Sequence, residues 1–107
     1  MTTYNNYNYI AITLHNINSI KIGETGRNIE ERKKELQRKG YIIIKTFDKT
    51  TNRAERLFVE SGLRMTLLKN KNTQIIKDDS FITSMDTIMD IIENFNNYCE
   101  HWLKCSQ

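Results

Sequence analysis

The sequence has no proline, only two cysteines and only two histidines. Cys99 and Cys105 lie six residues apart, which is too few cysteines and too poor a spacing for a zinc site or a disulfide framework. We interpret both as free thiols. His15 and His101 have no ligand-like spacing and are interpreted as surface residues. These scarcities argue against a disulfide-stapled scaffold and against a zinc centre.

Long apolar runs are also missing. No run approaches the roughly 18 residues that a membrane span needs, and the start MTTYNNYNYIA lacks the basic and apolar regions of a signal peptide. The expectation is a soluble intracellular protein without membrane contact, in the cytoplasm or, if viral, in a viral factory or nucleus of an infected cell. A chain of 107 residues is expected to form one domain, residues 1–107.

The common enzyme signatures are absent as well. The chain contains no P-loop, no G-x-G-x-x-G, no H-E-x-x-H, no C-x-x-C and no G-x-S-x-G pattern. We therefore expect no small-molecule cofactor.

Charge is distributed unevenly along the chain. Residues 19–56 hold eleven Lys or Arg against six Asp or Glu, whereas residues 76–107 hold two against six. Basic residues gain binding energy by releasing phosphate counterions, so the first half is where a polyanion partner is expected. A solvated surface of mixed charge explains the same counts equally well.

The first half of the chain predicts a β-hairpin followed by a helix. Residues 7–14 and 19–23 are rich in aromatic and β-branched residues, with turn-forming asparagines in residues 15–18 between them. A polar connection over 23–27 leads to Asn28 and Glu31, which have capping-box spacing and predict a helix over about 29–38. Gly40 is expected to end it.

The second half predicts alternating strands and helices. The apolar run 41–47 reads as a central strand covered on both sides, and Asn52 with Glu55 has capping spacing that opens a second helix. A short edge strand over 73–76 and the segment 78–81 lead to a third helix. The apolar stripes predicted to face the core comprise, in the second helix, Ala54, Leu57, Phe58, Met65 and Leu68 and, in the third, Met85, Ile88, Met89, Ile92, Phe95, Cys99 and Trp102.

This order, β-β-α-β-α-(β)-α, predicts the α+β class. The specific expectation is a small, three-stranded, mainly antiparallel sheet packed with about three helices.

An ordered set of short motifs runs through these elements: Tyr9-Ile10-Ala11, Lys21-Ile22-Gly23 followed by Glu24-Thr25, Arg32 with Leu36, and Ala54-Glu55. The set resembles the GIY-YIG nuclease superfamily, and in particular its phage and viral branch, whose motifs read K-I-G-x-T, R-x-x-x-L and A-E. The likeness covers about residues 7–95 and includes Asp79-Ser80-Phe81 as a counterpart of a D/E-x-F element.

The resemblance implies a GIY-YIG-like fold and a metal-dependent DNA endonuclease that hydrolyses a phosphodiester with one divalent ion, Mg²⁺ or Mn²⁺. It implies that Glu55 is the metal ligand and that Arg32 stabilises charge on the phosphate. Tyr9 and Lys21 stand at or beside the hairpin positions where family tyrosines position or deprotonate the attacking water. Lys21 replaces one tyrosine, as is common in the K-I-G branch, and the other tyrosine position falls at or beside Ile10. No general base is assigned.

Contacts to DNA are expected from residues flanking the same face of the sheet: Gly23, Thr25, Arg27, Lys33, Lys34 and Arg38. Two other functions stay open. The chain is alternatively a domain that has lost catalysis and binds nucleic acid through these basic residues and Lys39, or a viral accessory protein that binds a host protein through its acidic C-terminal helix. A homodimer contact at Trp102 is a further possibility. Glu55 also has a purely structural explanation as a helix cap.

Overall fold

The computed structural model describes residues 6–77 and 79–107, and their fold is α+β. Its elements are β1 (Tyr7–Thr13), β2 (Asn16–Thr25), α1 (Ile29–Arg38), β3 (Tyr41–Phe47), α2 (Arg53–Leu68), β4 (Gln74–Lys77), β5 (Ser80–Ile82), α3 (Met85–Glu93) and α4 (Phe95–Cys105). The described residues thus form five strands and four helices instead of the predicted three strands and about three helices. Asp78, at the start of the predicted 78–81 segment, lies outside the described residues.

The strands form one sheet in the order β3-β1-β2-β5-β4, and each neighbouring pair is antiparallel. The predicted hairpin is present, but β2 begins at Asn16, so its turn is shorter than residues 15–18. A register irregularity after Ile12 accommodates the extra β2 residues. The polar connection predicted over 23–27 is partly strand, because β2 continues to Thr25.

The prediction that β3 is central was wrong, since β3 lies at the edge of the sheet and β1 and β2 lie inside it. Its pairing with β1 shifts between Ile10 and Ala11, which leaves Ile44 as the extra residue of a β-bulge. Ile44 and Phe47, three residues apart, can then both pack against the same core. The apolar run reflects this bulge and not burial of both faces.

The first helix has the predicted bounds, Ile29–Arg38. The side chain of Asn28 caps it by accepting a hydrogen bond from the backbone N–H of Glu30 at 2.8 Å, one residue earlier than the predicted Glu31. Gly40 ends it with a φ of +87°, a conformation that favours glycine.

In α2 the predicted apolar stripe was wrong. Leu57, Phe58, Met65 and Leu68 are 39–56% exposed, whereas Val59, Leu63 and Leu67 are fully buried. Both sets recur with helical spacing, so periodicity could not choose between them.

The predicted third helix is divided into α3 and α4 at Asn94, which has φ −109° and ψ 16°. Its stripe was right for Ile88, Phe95 and Cys99, which are buried, and wrong for Met85 and Met89, which are exposed. Both cysteines are free thiols, as predicted. None of the helices in residues 6–77 and 79–107 combines the length and apolarity needed to cross a membrane.

Helices cover both faces of the sheet. Ile10, Ile20 and Ile22 belong to the main core, which includes buried residues of α2, α3 and α4. Tyr9 lies on the opposite face, because neighbouring strand residues alternate, and α1 reaches it there through Arg32. The face under α1 is therefore separate from the main core.

Gly62 offers a test of how α2 packs against α4. A Cβ atom at this position would lie 2.2 Å from the Cδ2 atom of Trp102, so the indole occupies the space of a side chain. We predict that Gly62→Ala lowers the free energy of unfolding by about 1–2 kcal/mol, because overpacking outweighs the better helix propensity of alanine.

Urea unfolding would measure this change, with Ser61→Ala on the exposed side of α2 as the matched control. A Gly62→Ala protein as stable as Ser61→Ala would contradict the close helix packing.

Candidate functional site

Tyr9 occupies a position that only a glycine opposite it permits. The β1–β2 register pairs Tyr9 with Gly23, and the tyrosine is fully buried. A Cβ atom at position 23 would fall 2.3 Å from both Cζ and Oη of Tyr9. The ring therefore lies across β2 at Gly23, which gives the glycine of the Lys21-Ile22-Gly23 motif a packing role.

Arg32 contacts the polar end of this ring. Its Nε donates a 3.0 Å hydrogen bond to the hydroxyl of Tyr9, and its guanidinium carbon lies 5.8 Å from the ring centroid. Leu36, one turn later on α1, is 1% exposed and fixes the helix against the protein. The structure thus brings together two predicted site residues, Tyr9 and Arg32.

Burial raises the pKa of the Tyr9 hydroxyl, and the hydrogen bond from Arg32 opposes this only in part. The hydroxyl consequently keeps its proton at neutral pH. Because it accepts from Arg32, that proton can be donated to another group.

Lys21, the third predicted site residue, is bound by a carboxylate. Its Nζ lies 2.6 Å from Oδ2 of Asp79 and 5.6 Å from the centre of the Tyr41 ring, and its side chain is 13% exposed. The backbone carbonyl of Asp79 also accepts a 2.9 Å hydrogen bond from the N–H of Ile22. Asp79 therefore joins β5 to β2 and neutralises Lys21.

The edge of β2 beyond Lys21 is not paired with β5. β5 pairs with β2 only over Ser19–Lys21, so Gly23–Thr25 at the end of β2 extend past it. Tyr9 and Lys21 are next to this part of the strand.

Glu60 of α2 is the site residue that sequence reasoning missed. Burial, together with the negative charges of Glu24 and Asp79, raises the pKa of its carboxyl to about 7, although Arg64 and Lys21 oppose this shift. Its charge in turn raises the pKa of Tyr9. Among the described residues, no salt bridge or side-chain hydrogen bond satisfies this carboxyl. We call Tyr9, Lys21, Arg32, Glu60 and Asp79 the β2-edge cluster.

Glu55 has a different environment. Its Oε1 accepts hydrogen bonds from the backbone N–H of Thr51 at 2.7 Å and from the Thr51 hydroxyl at 2.8 Å. Its own N–H donates to Oδ1 of Asn52 at 2.9 Å. These bonds close the start of α2, and none joins Glu55 to the β2-edge cluster.

A sequence signal for Glu60 existed. Glu60 follows Val59 directly and precedes Leu63 by three residues, so it borders the buried stripe of α2. Assigning the stripe to the exposed Leu57 and Met65 concealed this position. An acidic residue beside a buried helical stripe is a candidate for a perturbed carboxyl.

The predicted DNA-contacting residues fall into two groups. Arg27, Lys34 and Arg38 are exposed, and Lys33 pairs with Glu30 on the same helix at 3.3 Å. Gly23 and Thr25 are buried, and the hydroxyl of Thr25 accepts a hydrogen bond from the N–H of Arg27 at 3.1 Å. The basic side chains of this set can reach a polyanion, whereas Gly23 and Thr25 shape the backbone that carries them.

The described residues contain no group of three His, Cys, Asp or Glu side chains arranged to hold a metal ion. Mg²⁺ does not need one, since it commonly binds one or two carboxylates and completes its shell with water and substrate phosphates. A half-buried carboxyl without an internal partner suits this role. Glu60 therefore fits a divalent cation better than Glu55, whose Oε1 is already engaged.

No family model, no curated protein and no solved structure matches this chain. The resemblance to GIY-YIG nucleases therefore depends on the motif residues.

The perturbed carboxyl of Glu60 predicts a pH-dependent stability. Between its ordinary value of 4.5 and about 7, the folded protein binds a proton that the unfolded chain has released, so stability is lost as the pH rises through this range. We predict that wild type loses about 1–2 kcal/mol relative to Glu60→Gln between pH 4.5 and pH 8, a value reduced to allow for solvent screening.

Urea unfolding at several pH values would measure the difference, and Glu31→Gln, which removes an exposed charge from α1, controls for the loss of one carboxylate. A Glu60→Gln difference that stays constant with pH would contradict the perturbed carboxyl.

Proposed function

We propose that this chain is a divalent-metal-dependent DNA endonuclease of the GIY-YIG type, with the β2-edge cluster as its active site. The observation that supports this most is the hydrogen bond between Tyr9 and Arg32. The half-buried carboxyl of Glu60 is near enough for its charge to raise the pKa of Tyr9. An arginine, a tyrosine and a carboxyl together can bind a phosphodiester, position water and bind a cation.

In this proposal Arg32 binds the phosphate that is cleaved. Its Nε donates to the hydroxyl of Tyr9, which fixes the guanidinium, and its Nη2 makes no hydrogen bond to another of the described residues. A guanidinium held this way is aimed before the substrate arrives. Such preorganised donors stabilise charge that develops in the transition state.

Tyr9 is fully buried, so in this proposal it acts by holding Arg32 through its hydroxyl, whose raised pKa disfavours loss of the proton. The ammonium of Lys21, oriented by Asp79, can donate a further hydrogen bond to a phosphate oxygen. Glu60 would hold the divalent cation. When bound, that cation polarises a phosphoryl oxygen and makes a bound water more acidic.

A second candidate function is a nucleic-acid-binding domain without catalysis. It is favoured by the exposed basic residues Arg27, Lys34 and Arg38 beside α1, which need no metal to bind phosphates. The β2-edge cluster would then only stabilise the fold.

Nicking of supercoiled plasmid tests the proposal, with Mg²⁺, with Mn²⁺ and with a chelator. We expect metal-dependent nicking by wild type and a loss of about 10²–10³-fold in Glu60→Gln and in Arg32→Gln, the size typical of removing one transition-state-stabilising group. Glu55→Gln separates the two carboxylate assignments, and we expect it to keep activity within a few-fold because Glu55 caps α2.

No nicking by the folded wild type would contradict the endonuclease. Salt-sensitive DNA binding would in that case favour the second candidate. Loss of nicking in Glu55→Gln but not in Glu60→Gln would assign the cation to Glu55.

A further inference from the structure

Two arginines converge on one oxygen atom beside the β2-edge cluster. Oε2 of Glu35 accepts a hydrogen bond from Nη1 of Arg32 at 2.9 Å and from Nη2 of Arg27 at 3.0 Å. Two guanidinium groups around a single anionic oxygen are a common way to bind a phosphate. The Glu35 carboxylate therefore occupies a place that a phosphate oxygen could take.

The three side chains differ in their access to solvent. Arg27 is 60% exposed, Glu35 34% and Arg32 23%. Arg32 is fixed independently by Tyr9, so it keeps its position if Glu35 leaves. The Arg27–Glu35 pair is exposed, and such pairs contribute little to stability, so little holds Glu35 on this side.

The charge balance here differs from that of an ordinary surface pair. On the same helix Glu30 pairs with one lysine, Lys33, at 3.3 Å. Glu35 instead faces two arginines, so the three groups together keep a net positive charge. The hydrogen bond from Arg32, supported by Arg27 and opposed by desolvation, lowers the pKa of Glu35. The carboxyl is thus ionised at neutral pH and competes with any other anion.

We propose that Arg27 and Arg32 form a binding subsite for a phosphate of the DNA backbone, and that Glu35 fills this subsite until DNA displaces it. The proposal rests on the proposed function in taking DNA as the ligand. In this role Glu35 weakens binding in the free protein and tunes its salt dependence. It does not touch the reacting atoms.

Glu35→Gln tests this directly, because glutamine keeps the size of the side chain and removes the competing charge. The probe is a fluorescent 20-base-pair duplex, and anisotropy is recorded in a chelator at several NaCl concentrations so that no cleavage occurs. Glu31→Gln is the matched control, since it removes the same charge from an exposed position of α1.

We expect Glu35→Gln to bind at least about fivefold more tightly than Glu31→Gln at 0.1 M NaCl. The plot of log affinity against log salt concentration should be steeper by about 0.9 for each additional phosphate that the variant neutralises. Adding Arg27→Gln to Glu35→Gln should abolish this tighter binding. Arg27→Gln alone, at an exposed position that folding tolerates, should reduce the slope of wild type by about 0.9.

Glu35→Gln binding equal to that of Glu31→Gln would overturn the proposal. Weaker binding would overturn it too, and would identify Glu35 as a residue that orients Arg32. Failure of the endonuclease proposal is seen separately, as absent plasmid nicking. Tighter binding by Glu35→Gln without nicking by wild type would support the phosphate subsite and contradict the nuclease. Nicking by wild type without tighter binding by Glu35→Gln would support the nuclease and contradict the phosphate subsite.

Discussion

The packing of Tyr9 across Gly23, with Arg32 bound to its hydroxyl, is the contact on which the candidate site depends. The ring fills the space that any side chain at position 23 would need. This fixes the pairing of β1 with β2, because a shift of one residue would turn Tyr9 to the other face. The hydroxyl then gives α1 a polar anchor through Arg32. Register, helix position and site geometry follow from one contact.

Helices cover both faces of the sheet. The apolar core that stabilises the fold lies on one face, and side chains of the proposed active site lie on the other. Ile10, Ile20 and Ile22 pack into the main core with α2, α3 and α4, while the alternate residues Tyr9 and Lys21 meet polar partners. The two sets are interleaved on the same two strands. A domain this small can therefore hold buried polar groups without interrupting its apolar core. Each of these groups has a partner: Tyr9 with Arg32, and Lys21 with Asp79.

Glu60 departs from that pattern, since its carboxyl has no hydrogen-bonding partner in the described part of the chain. Its environment combines burial with the negative charges of Glu24 and Asp79, and the nearby Arg64 and Lys21 compensate only in part. Buried carboxyls usually find a partner or lose their charge. A half-buried carboxyl with a raised pKa and no side-chain partner is a candidate for a functional group.

Features set by neighbouring residues, such as helix ends, could be predicted from the sequence. Which face of a helix or strand is buried could not, because that depends on distant parts of the chain. Asn28 and Gly40 mark the ends of α1 through backbone bonding that involves only neighbouring residues, and its bounds were predicted correctly. β3 was misplaced because its bulge, which depends on pairing with β1, makes a one-sided strand look apolar throughout.

The candidate site shows the same limit. Tyr9, Lys21 and Arg32 lie in short motifs and could be identified by resemblance. Glu60 was missed because α2 carries two apolar stripes, and only packing against the sheet and α4 selects Val59, Leu63 and Leu67 as the buried one. Glu55 was predicted as the metal ligand by resemblance, and its hydrogen bonds in the structure are those of the alternative explanation, a helix cap.

A double-mutant cycle between Tyr9→Phe and Arg32→Gln, measured by urea unfolding, tests the central contact most directly. A partly buried hydrogen bond to a charged group predicts a coupling energy of about 1–3 kcal/mol, so the double variant should be less destabilised than the sum of the single variants. Single-variant effects that add to within about 0.5 kcal/mol would show that Tyr9 and Arg32 act independently, and would contradict this account.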